Sequence, residues 1–491
     1  MPGQLDERDR EFFRLVSRAA YVNPFSPERD ALDLAIADAE GAAPDLVDRL
    51  VARVEERLLA LDARGELDAD AFAHRDWVLV EHAVLFESFH RFAHRLDALI
   101  EAQLAAGDAP VPVPFAAELL ARLRARGIAR DRALRMLALF WQMRRAYYFI
   151  VTGLTGVSPS MRRLRAALWN DVFTHDGARY EALLWDRLED FSLIIRGETG
   201  SGKGQAARAI GRSGYIPFDE GKGTFAASFT ELFVPINLSQ FPESLIESEL
   251  FGHKKGAFTG AVDSHAGVFS RCRTHGAIFL DEIGEVSIPV QIKLLRVLQD
   301  RVFSPVGGHE ERRFEGRVIA ATHRDLDEAR RERRFRDDFY YRLCTDVLEM
   351  PSLRVRFAED PAELVVLVEH LVERIVGQRD GPVVERVVEV VTRTLPKDYA
   401  WPGNVRELEQ CVRRVLLTGT FAPDPASLRT TDAATQLAEL LEGGALEARE
   451  LVARYCALLH ARVGTYEEVA RITGLDRRTV KKYVQQGDAP D

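Results

Sequence analysis

Apolar residues recur at helical spacing through the first 152 positions. Phe86, Phe89, Phe92, Leu96 and Leu99 share one face of a helix, as do Leu119, Leu120 and Leu123. The APVPVP run at 109–114 breaks the pattern between two helical blocks. No strand–helix alternation occurs here, which argues against a doubly wound receiver domain. From about Gly156 the period changes. FSLIIRG (191–197), LFVPINLS (232–239), GAIFLDEI (276–283) and RVIAATH (317–323) alternate with helical stretches, the pattern of a parallel sheet covered by helices. Beyond Pro361 the strands stop and helical blocks run to about Phe421. The polar stretch APDPASLRTTDAAT then reads as a linker, and the C-terminal segment is helical again.

At 491 residues the chain is long enough for about three domains. Its 46% hydrophobic and 29% charged residues exclude a disordered or fibrous polypeptide. No apolar run approaches the roughly 18 residues of a membrane-spanning helix, and MPGQLDERDREFF lacks the basic-then-apolar order of a secretory signal. Cys272, Cys344, Cys411 and Cys456 stand far apart, with no disulfide framework. A cytoplasmic protein is expected. The net charge of −10 speaks against a chain that coats nucleic acid along its length. Charge is read per domain, however, and the segment 476–486 is locally basic.

The strand FSLIIRG runs directly into GETGSGKG (197–204), the strand, glycine-rich loop and helix start that a phosphate cradle requires. Gly197, Gly200 and Gly202 let the loop, with Glu198, Thr199 and Ser201 between them, turn its N–H groups inward around an anion. Lys203 reaches the outer phosphates from a helix whose positive end faces the same anion. Gly204 stands where most such loops carry a hydroxyl for magnesium, so the metal must rely on other ligands and water. GAIFLDEI supplies one. Its two carboxylates emerge at the C-terminal end of a buried strand, where open α/β sheets bind ligands. Asp281 is placed to hold magnesium and Glu282 to polarise an attacking water. The two elements together predict ATP hydrolysis.

Between them lies ESELFGHKKGAFTGA (247–261). Read alone, Gly256, Ala257, Phe258, Thr259, Gly260 and Ala261 form a mobile tip that presents one aromatic. With this hexamer the chain resembles the sigma-54-dependent bacterial enhancer-binding activators of the AAA+ ATPase superfamily, over roughly residues 155–420 and the C-terminal module. In that family the loop grips the alternative sigma factor and transmits ATP-driven movement to the promoter complex. The resemblance implies further roles. GVSPSM (156–161) corresponds to the segment beside the adenine, Asn237 to the asparagine that restrains the catalytic glutamate, and Thr322 with His323 to the sensor I position. Arg336 and Arg342 in FRDDFYYRL match arginine fingers, which neutralise charge on the phosphoryl group held by a neighbouring subunit. Arg406 in WPGNVREL matches the sensor II arginine of the helical lid. The chain departs from the family at Gly204, where glutamate is usual, and in two stretches that look inserted, about 171–188 and 213–231. PSLRVRFAEDP also reads as one residue longer than the family's proline-arginine run.

In TYEEVARITGLDRRTVKKYVQQ (465–486), Thr465 caps a helix whose apolar face is Val469, Ala470 and Ile472. Gly474 makes a turn and Asp476 caps a second helix, with Val480 and Tyr483 inward. This is a helix-turn-helix spacing. Arg477, Arg478 and Thr479 are expected at base edges, with Lys481 and Lys482 nearer phosphates. In the N-terminal segment, His90, His94 and Glu87 make a single ExxH, short of a helical di-metal site.

The expected architecture is multidomain. An all-α N-terminal regulatory domain (1–152) precedes an α/β AAA+ P-loop core (153–350) with an α-helical lid (351–421). A linker (422–444) then leads to a C-terminal all-α helix-turn-helix (445–491). The expected function is a DNA-bound activator working as a ring, a hexamer with a resting dimer as the alternative. It would use ATP and magnesium to remodel the sigma-54 RNA polymerase complex, under an unidentified signal at the N-terminal domain. Two rival readings use the same residues: a DNA-binding regulator whose ATPase has decayed at Gly204, and an AAA+ remodeller of another target.

Overall fold

The computed structural model describes residues 5–41, 44–64, 72–396, 398–423, 437, 440–441 and 447–487. Most of the expected linker (424–436, 438–439 and 442–444) lies outside the described residues, as do 445–446 at the start of the expected C-terminal domain. The chain forms two compact units. One comprises Met1–His370 with Gly403–Arg406, the other Leu371–Pro402 with Glu407–Asp491.

Among the described residues, seven helices open the first unit: α1 (Glu7–Tyr21), α2 (Pro27–Ala37), α3 (Leu46–Ala63), α4 (His74–Ala106), α5 (Ala116–Ala125), α6 (Arg130–Gly153) and α7 (Pro159–Phe173). Local chemistry starts several of them. Asp6 accepts from the Asp9 N–H at the head of α1, and Ser26 accepts from Arg29 N before a proline at the first position of α2. The APVPVP run separates α4 from α5, and Phe86, Phe92, Leu96 and Leu99 are buried along one stripe of α4.

A five-stranded parallel sheet follows: β1 (Leu193–Arg196), β2 (Phe233–Asn237), β3 (Ala277–Asp281), β4 (Arg317–Thr322) and β5 (Asp346–Glu349), in the order β2-β3-β4-β1-β5. The continuous apolar runs suit strands covered on both faces. Alternate residues divide accordingly. Leu193, Ile195, Phe279 and Ile319 join one core; Ile194, Ile278, Leu280 and Val318 join another. β5 (DVLE) escapes the sequence pattern because only Leu348 in it is buried.

The first of these cores does not stop at the ATPase fold. It runs without interruption from Leu5 to Met350, joining the N-terminal helices to one face of the sheet through α8 (Lys203–Gly211), on which α6 and α7 pack. Both inserted stretches serve this junction. Residues 213–231 carry a short hairpin (Phe218–Asp219 with Thr224–Phe225), and the Phe225 ring stacks on Trp141 of α6 at 5.1 Å. Val113 N donates to Gly223 O at 2.9 Å, and the Ser228 hydroxyl donates to Gly107 O at 2.8 Å. The other stretch holds the end of α7 and a turn, Gly177–Leu184, whose Tyr180 is buried.

Helices Leu353–Glu359, Ala362–Val376, Gly381–Thr394 and Asn404–Thr418 occupy the lid segment. In the second unit, helices Ala448–Val463, Tyr466–Thr473 and Arg477–Gly487 enclose a small core of Cys456, Leu459, Val469, Val480 and Val484. Ile472, expected on the buried face of its helix, is 43% exposed. No helix among the described residues is long and apolar enough to cross a membrane.

Candidate functional site

β1 ends at Arg196 and the chain turns through 197–202 into α8, so the glycine-rich loop wraps the N-terminus of that helix. Gly200 has φ +79°, and a Cβ there would fall 2.2 Å from Gly403 O, so only glycine fits. Lys203 is buried and folds back, its Nζ donating to Gly197 O at 2.8 Å and Glu198 O at 3.2 Å. Burial lowers its pKa from the usual ammonium value, while the Glu282 and Asp281 charges act in the opposite sense. Asp281 moves the other way: burial and the neighbouring Glu282 raise it, against the pull of Lys203 and Arg406. Lys203, Asp281, Glu282 and Arg406 therefore share one electrostatic site at the C-terminal end of β1 and β3.

The buried Ser201 hydroxyl in this loop has no hydrogen-bond partner. An orphaned polar atom, a desolvated lysine bound to two carbonyls, and two carboxylates with a raised Asp281 fit a phosphate group with a divalent cation. Gly204 contributes no ligand, and its position is roomy: the nearest atom to an added Cβ is Phe279 Cε1 at 4.0 Å.

Glu282 takes up a left-handed conformation, φ +59°. Its carboxylate lies 2.7 Å from His323 Nδ1. Asn237, in register with Asp281 on the adjacent strand, donates from Nδ2 to Asp281 Oδ2 at 3.3 Å and accepts from Ser239 N at 3.0 Å. The residue that sequence reasoning placed on the glutamate thus reaches its neighbour, and His323 holds the glutamate. Thr322 is buried at the end of β4, its hydroxyl accepting from Arg324 N at 3.1 Å. Sequence reasoning also missed Asn404. Its carboxamide donates to Glu198 Oε2 (3.0 Å) and Thr199 O (3.2 Å) and accepts from Leu353 N (2.7 Å), tying the loop to the start of the last lid helix.

The two arginines expected to serve a neighbouring subunit bind groups of their own chain. Arg336 forms a two-pronged pair with Asp338 at 2.9 and 2.6 Å, and Arg342 donates to Leu298 O at 3.0 and 2.9 Å. GVSPSM leads into α7, where Ser158 N donates to Glu363 Oε2 (2.8 Å) and Ser160 N to Glu359 Oε2 (2.6 Å). Glu363 also pairs with Arg356 of the irregular PSLRVRF segment, fully buried at 2.5 Å.

The GAFTGA loop leaves helix Glu243–Phe251 and is rooted at His253, whose backbone pairs with His265. Gly256 N donates to Ala261 O at 2.9 Å, closing the tip, and Gly256 and Gly260 have nothing within 4 Å of an added Cβ. Phe258 is 36% exposed with its edge on the His253 ring at 4.9 Å; Thr259 is exposed.

In the C-terminal helices, Thr465 accepts from Glu468 N at 3.4 Å and Gly474 is left-handed, φ +72°. Asp476 accepts from Arg478 N and Thr479 N at 3.0 Å and from the Thr479 hydroxyl. Arg477, Arg478, Lys481 and Lys482 are exposed, and Arg477 pairs with Glu467 at 2.7 Å. In the N-terminal helices, Glu87 is buried and held by Arg91 (2.6 Å) and Arg122 (2.8 Å), and His90 Nδ1 donates to Phe86 O at 2.9 Å.

The parallel sheet, loop and carboxylate pair define a P-loop ATPase module of the AAA+ kind. Residues 184–349 match the Sigma-54 interaction domain family, and residues 359–431 match the AAA+ ATPase lid domain family. The chain is 35% identical over 355 residues to the Nif-specific regulatory protein of Azotobacter vinelandii, across 70% of this chain and 60% of that protein. It is 35% identical over 340 residues to the DNA-binding transcriptional regulator NtrC of Azospirillum brasilense, across 61% and 65%. It therefore spans less than two thirds of these curated relatives. NtrX from Brucella abortus, solved in complex with ATP, shares 21% identity over 75% of this chain and 80% of its own, with a TM-score of 0.40. Residues 184–349 therefore carry a sigma-54 interaction domain and residues 359–431 an AAA+ lid domain.

Proposed function

We propose that the protein is an ATP-driven activator of sigma-54-dependent transcription, acting from the cytoplasm. The observation that carries this reading is the convergence of Lys203, Asp281 and Glu282 at one end of the sheet. ATP with magnesium would supply the phosphoanhydride and its neutralising cation. The loop N–H groups of Gly197, Glu198, Thr199, Gly200, Ser201 and Gly202 and the Ser201 hydroxyl bind phosphate oxygens, and Gly204 leaves room at the helix start. Lys203 exchanges two carbonyls for the outer phosphate. Asp281 holds magnesium, and Glu282, once released from His323, polarises the attacking water. Thr322 and Arg406 position the reacting end of the nucleotide.

Arg336 and Arg342 serve a neighbouring subunit's site, which requires a ring, a hexamer in this reading with a dimer as the resting form. Their own-subunit partners are exposed or carbonyl groups that such a subunit can displace. Asn237 couples the site to the sigma-contacting tip: it touches Asp281, and the chain after it leads into the helix from which Gly256–Ala261 extends. Phe258 and Thr259 there engage sigma-54. Residues 445–491 bind duplex DNA upstream of the promoter, with Arg477, Arg478 and the Thr479 methyl at base edges and Lys481 and Lys482 on phosphates. Residues 1–152 regulate the 153–350 core and its 351–421 lid, and 422–444 tether the DNA reader.

Steady-state ATP hydrolysis by the full-length protein tests the reading. Glu282→Gln is expected to reduce turnover at least about 10²-fold with nucleotide binding retained; equal turnover, or none in either protein, contradicts it.

A further inference from the structure

The N-terminal helices line a half-open cavity of about 90 Å³ between α1, α2, α4, α6, α7 and the turn at Gly177. Phe86, Phe89, Phe140, Trp169 and Phe173 line it. The charges at its wall are already partnered. Arg29 Nε donates to Asp33 at 2.7 Å, and Glu181 accepts from Arg132 at 2.6 Å and from the Tyr21 hydroxyl at 2.5 Å. The two imidazoles there are neutral. Burial, reinforced by Arg29, holds the His90 pKa down at about 3, and burial lowers His82 as well. Because His90 Nδ1 donates to the Phe86 carbonyl, Nε2 is an acceptor, and among the described residues it is met by Arg29 Nη2 alone, at a long 3.4 Å.

We propose that this cavity binds a small uncharged aromatic compound, a five- or six-membered ring with one hydrogen-bond donor, and that its occupancy is transmitted to α8. The lining selects the class. Aromatic walls favour a planar ring, the ligand's one donor replaces Arg29 Nη2 at the single lone pair of His90 Nε2, and an ionised ligand would bring an uncompensated charge into a low-dielectric space. The volume equals about three waters, and an apolar cavity of about 150 Å³ admits benzene. A ring therefore enters once the flexible Met136 and Met143 side chains in the wall adjust.

The route to α8 is contiguous. Tyr180 lines the cavity, and its hydroxyl lies 2.8 Å from Gln142 Nε2. That same amide donates to Ser213 O at 2.9 Å, just past the end of α8. One turn along α6, the fully buried Arg145 donates to Arg212 O at 2.6 Å and Gly214 O at 2.7 Å. The helix gripped at this end begins at Lys203. Regulation of ATP turnover by this route rests on the proposed ATPase function; the binding site does not.

Isothermal titration calorimetry of the full-length protein with pyrrole, aniline, benzene and benzoate tests the site. Pyrrole or aniline is expected to bind with a Kd on the order of 1 mM or tighter, benzene at least about tenfold more weakly, and benzoate not at all. Ala20→Leu and Leu139→Phe each add volume at the cavity wall, and each is expected to weaken binding at least about tenfold. Two separate positions keep the test decisive if one variant misfolds. No binding of either donor ring up to about 10 mM, binding of benzoate, or unchanged affinity in the folded variants overturns the site. Amide hydrogen exchange over residues 207–215 reads the coupling without ATP turnover: ligand is expected to change protection about twofold or more, and unchanged exchange overturns it. A protein that binds the rings and responds at α8 but hydrolyses no ATP contradicts the ATPase function and leaves the site intact.

Discussion

The Nδ1 atom of His323 lies 2.7 Å from the Glu282 carboxylate, so the group proposed to polarise water is restrained by the residue that follows Thr322. Asn237, one strand away, is spent on Asp281. A hydrogen bond to a charged group contributes about 1.5–3 kcal/mol at most sites and less when exposed, and His323 is 41% exposed in its side chain. Taking about 1 kcal/mol, His323→Ala should raise basal ATP turnover about fivefold. A fall in turnover would mean that His323 sets the productive orientation of Glu282 instead of withholding it.

Gly204 occupies the first turn of α8, with no atom closer than 4.0 Å to an added Cβ. Gly204→Ala should therefore stabilise the protein by about 0.5–1 kcal/mol, through helix propensity and a less flexible unfolded chain. Denaturant unfolding measures this. Destabilisation would show that the glycine is needed for the loop's geometry.

Trp141 is 2% exposed and stacks on Phe225 across the junction of the N-terminal helices with the sheet-bearing core. Trp141→Ala should cost about 3–5 kcal/mol, and amide protection in α6 and in β1 should be lost in one transition on denaturant titration. Two separated transitions would show that residues 1–152 fold apart from the core. The continuous core from Leu5 to Met350 also means that truncation near residue 152 exposes apolar surface, so regulation is better tested by point variants than by deletion.

Much of the nucleotide site was legible because its signals are local. Gly197, Gly200 and Gly202, the apolar run ending in Asp281 and Glu282, and the Thr465, Gly474 and Asp476 punctuation each sit within one turn or strand of the chemistry they position. What was not legible depends on partners far apart in the chain. Trp141 meets Phe225, Arg145 meets Arg212 and Gly214, and Arg356 meets Glu363 while reaching Thr155 O. No periodicity encodes such pairings. The two inserted stretches read as departures from a family, whereas they are the surfaces that receive the N-terminal helices. β5 was missed for a physical reason: an edge strand with one buried residue has almost no apolar pattern to detect.

Asp76 accepts from Leu5 N at 3.0 Å and from Arg10 Nε and Nη2 at 3.0 and 3.1 Å, and these contacts, the Arg10 hydrogen bond foremost, lower its pKa. A carboxyl depressed on folding adds stability above its unfolded pKa of about 3.9 and loses it as pH falls through the folded value. Asp76→Asn should therefore cost about 2 kcal/mol at neutral pH, and the difference should shrink below about pH 4. A constant difference between pH 7 and 3 would show that the carboxylate charge contributes nothing.

The central claim is tested most directly by ATP-dependent promoter opening. Sigma-54 RNA polymerase, a promoter with its upstream site, and the full-length protein would be probed for strand separation with wild type, Glu282→Gln and Thr259→Ala. The account predicts opening by wild type only when ATP is present, none by Glu282→Gln, and none by Thr259→Ala even though that variant hydrolyses ATP. Opening by Thr259→Ala, or ATP hydrolysis by wild type without opening, would contradict it.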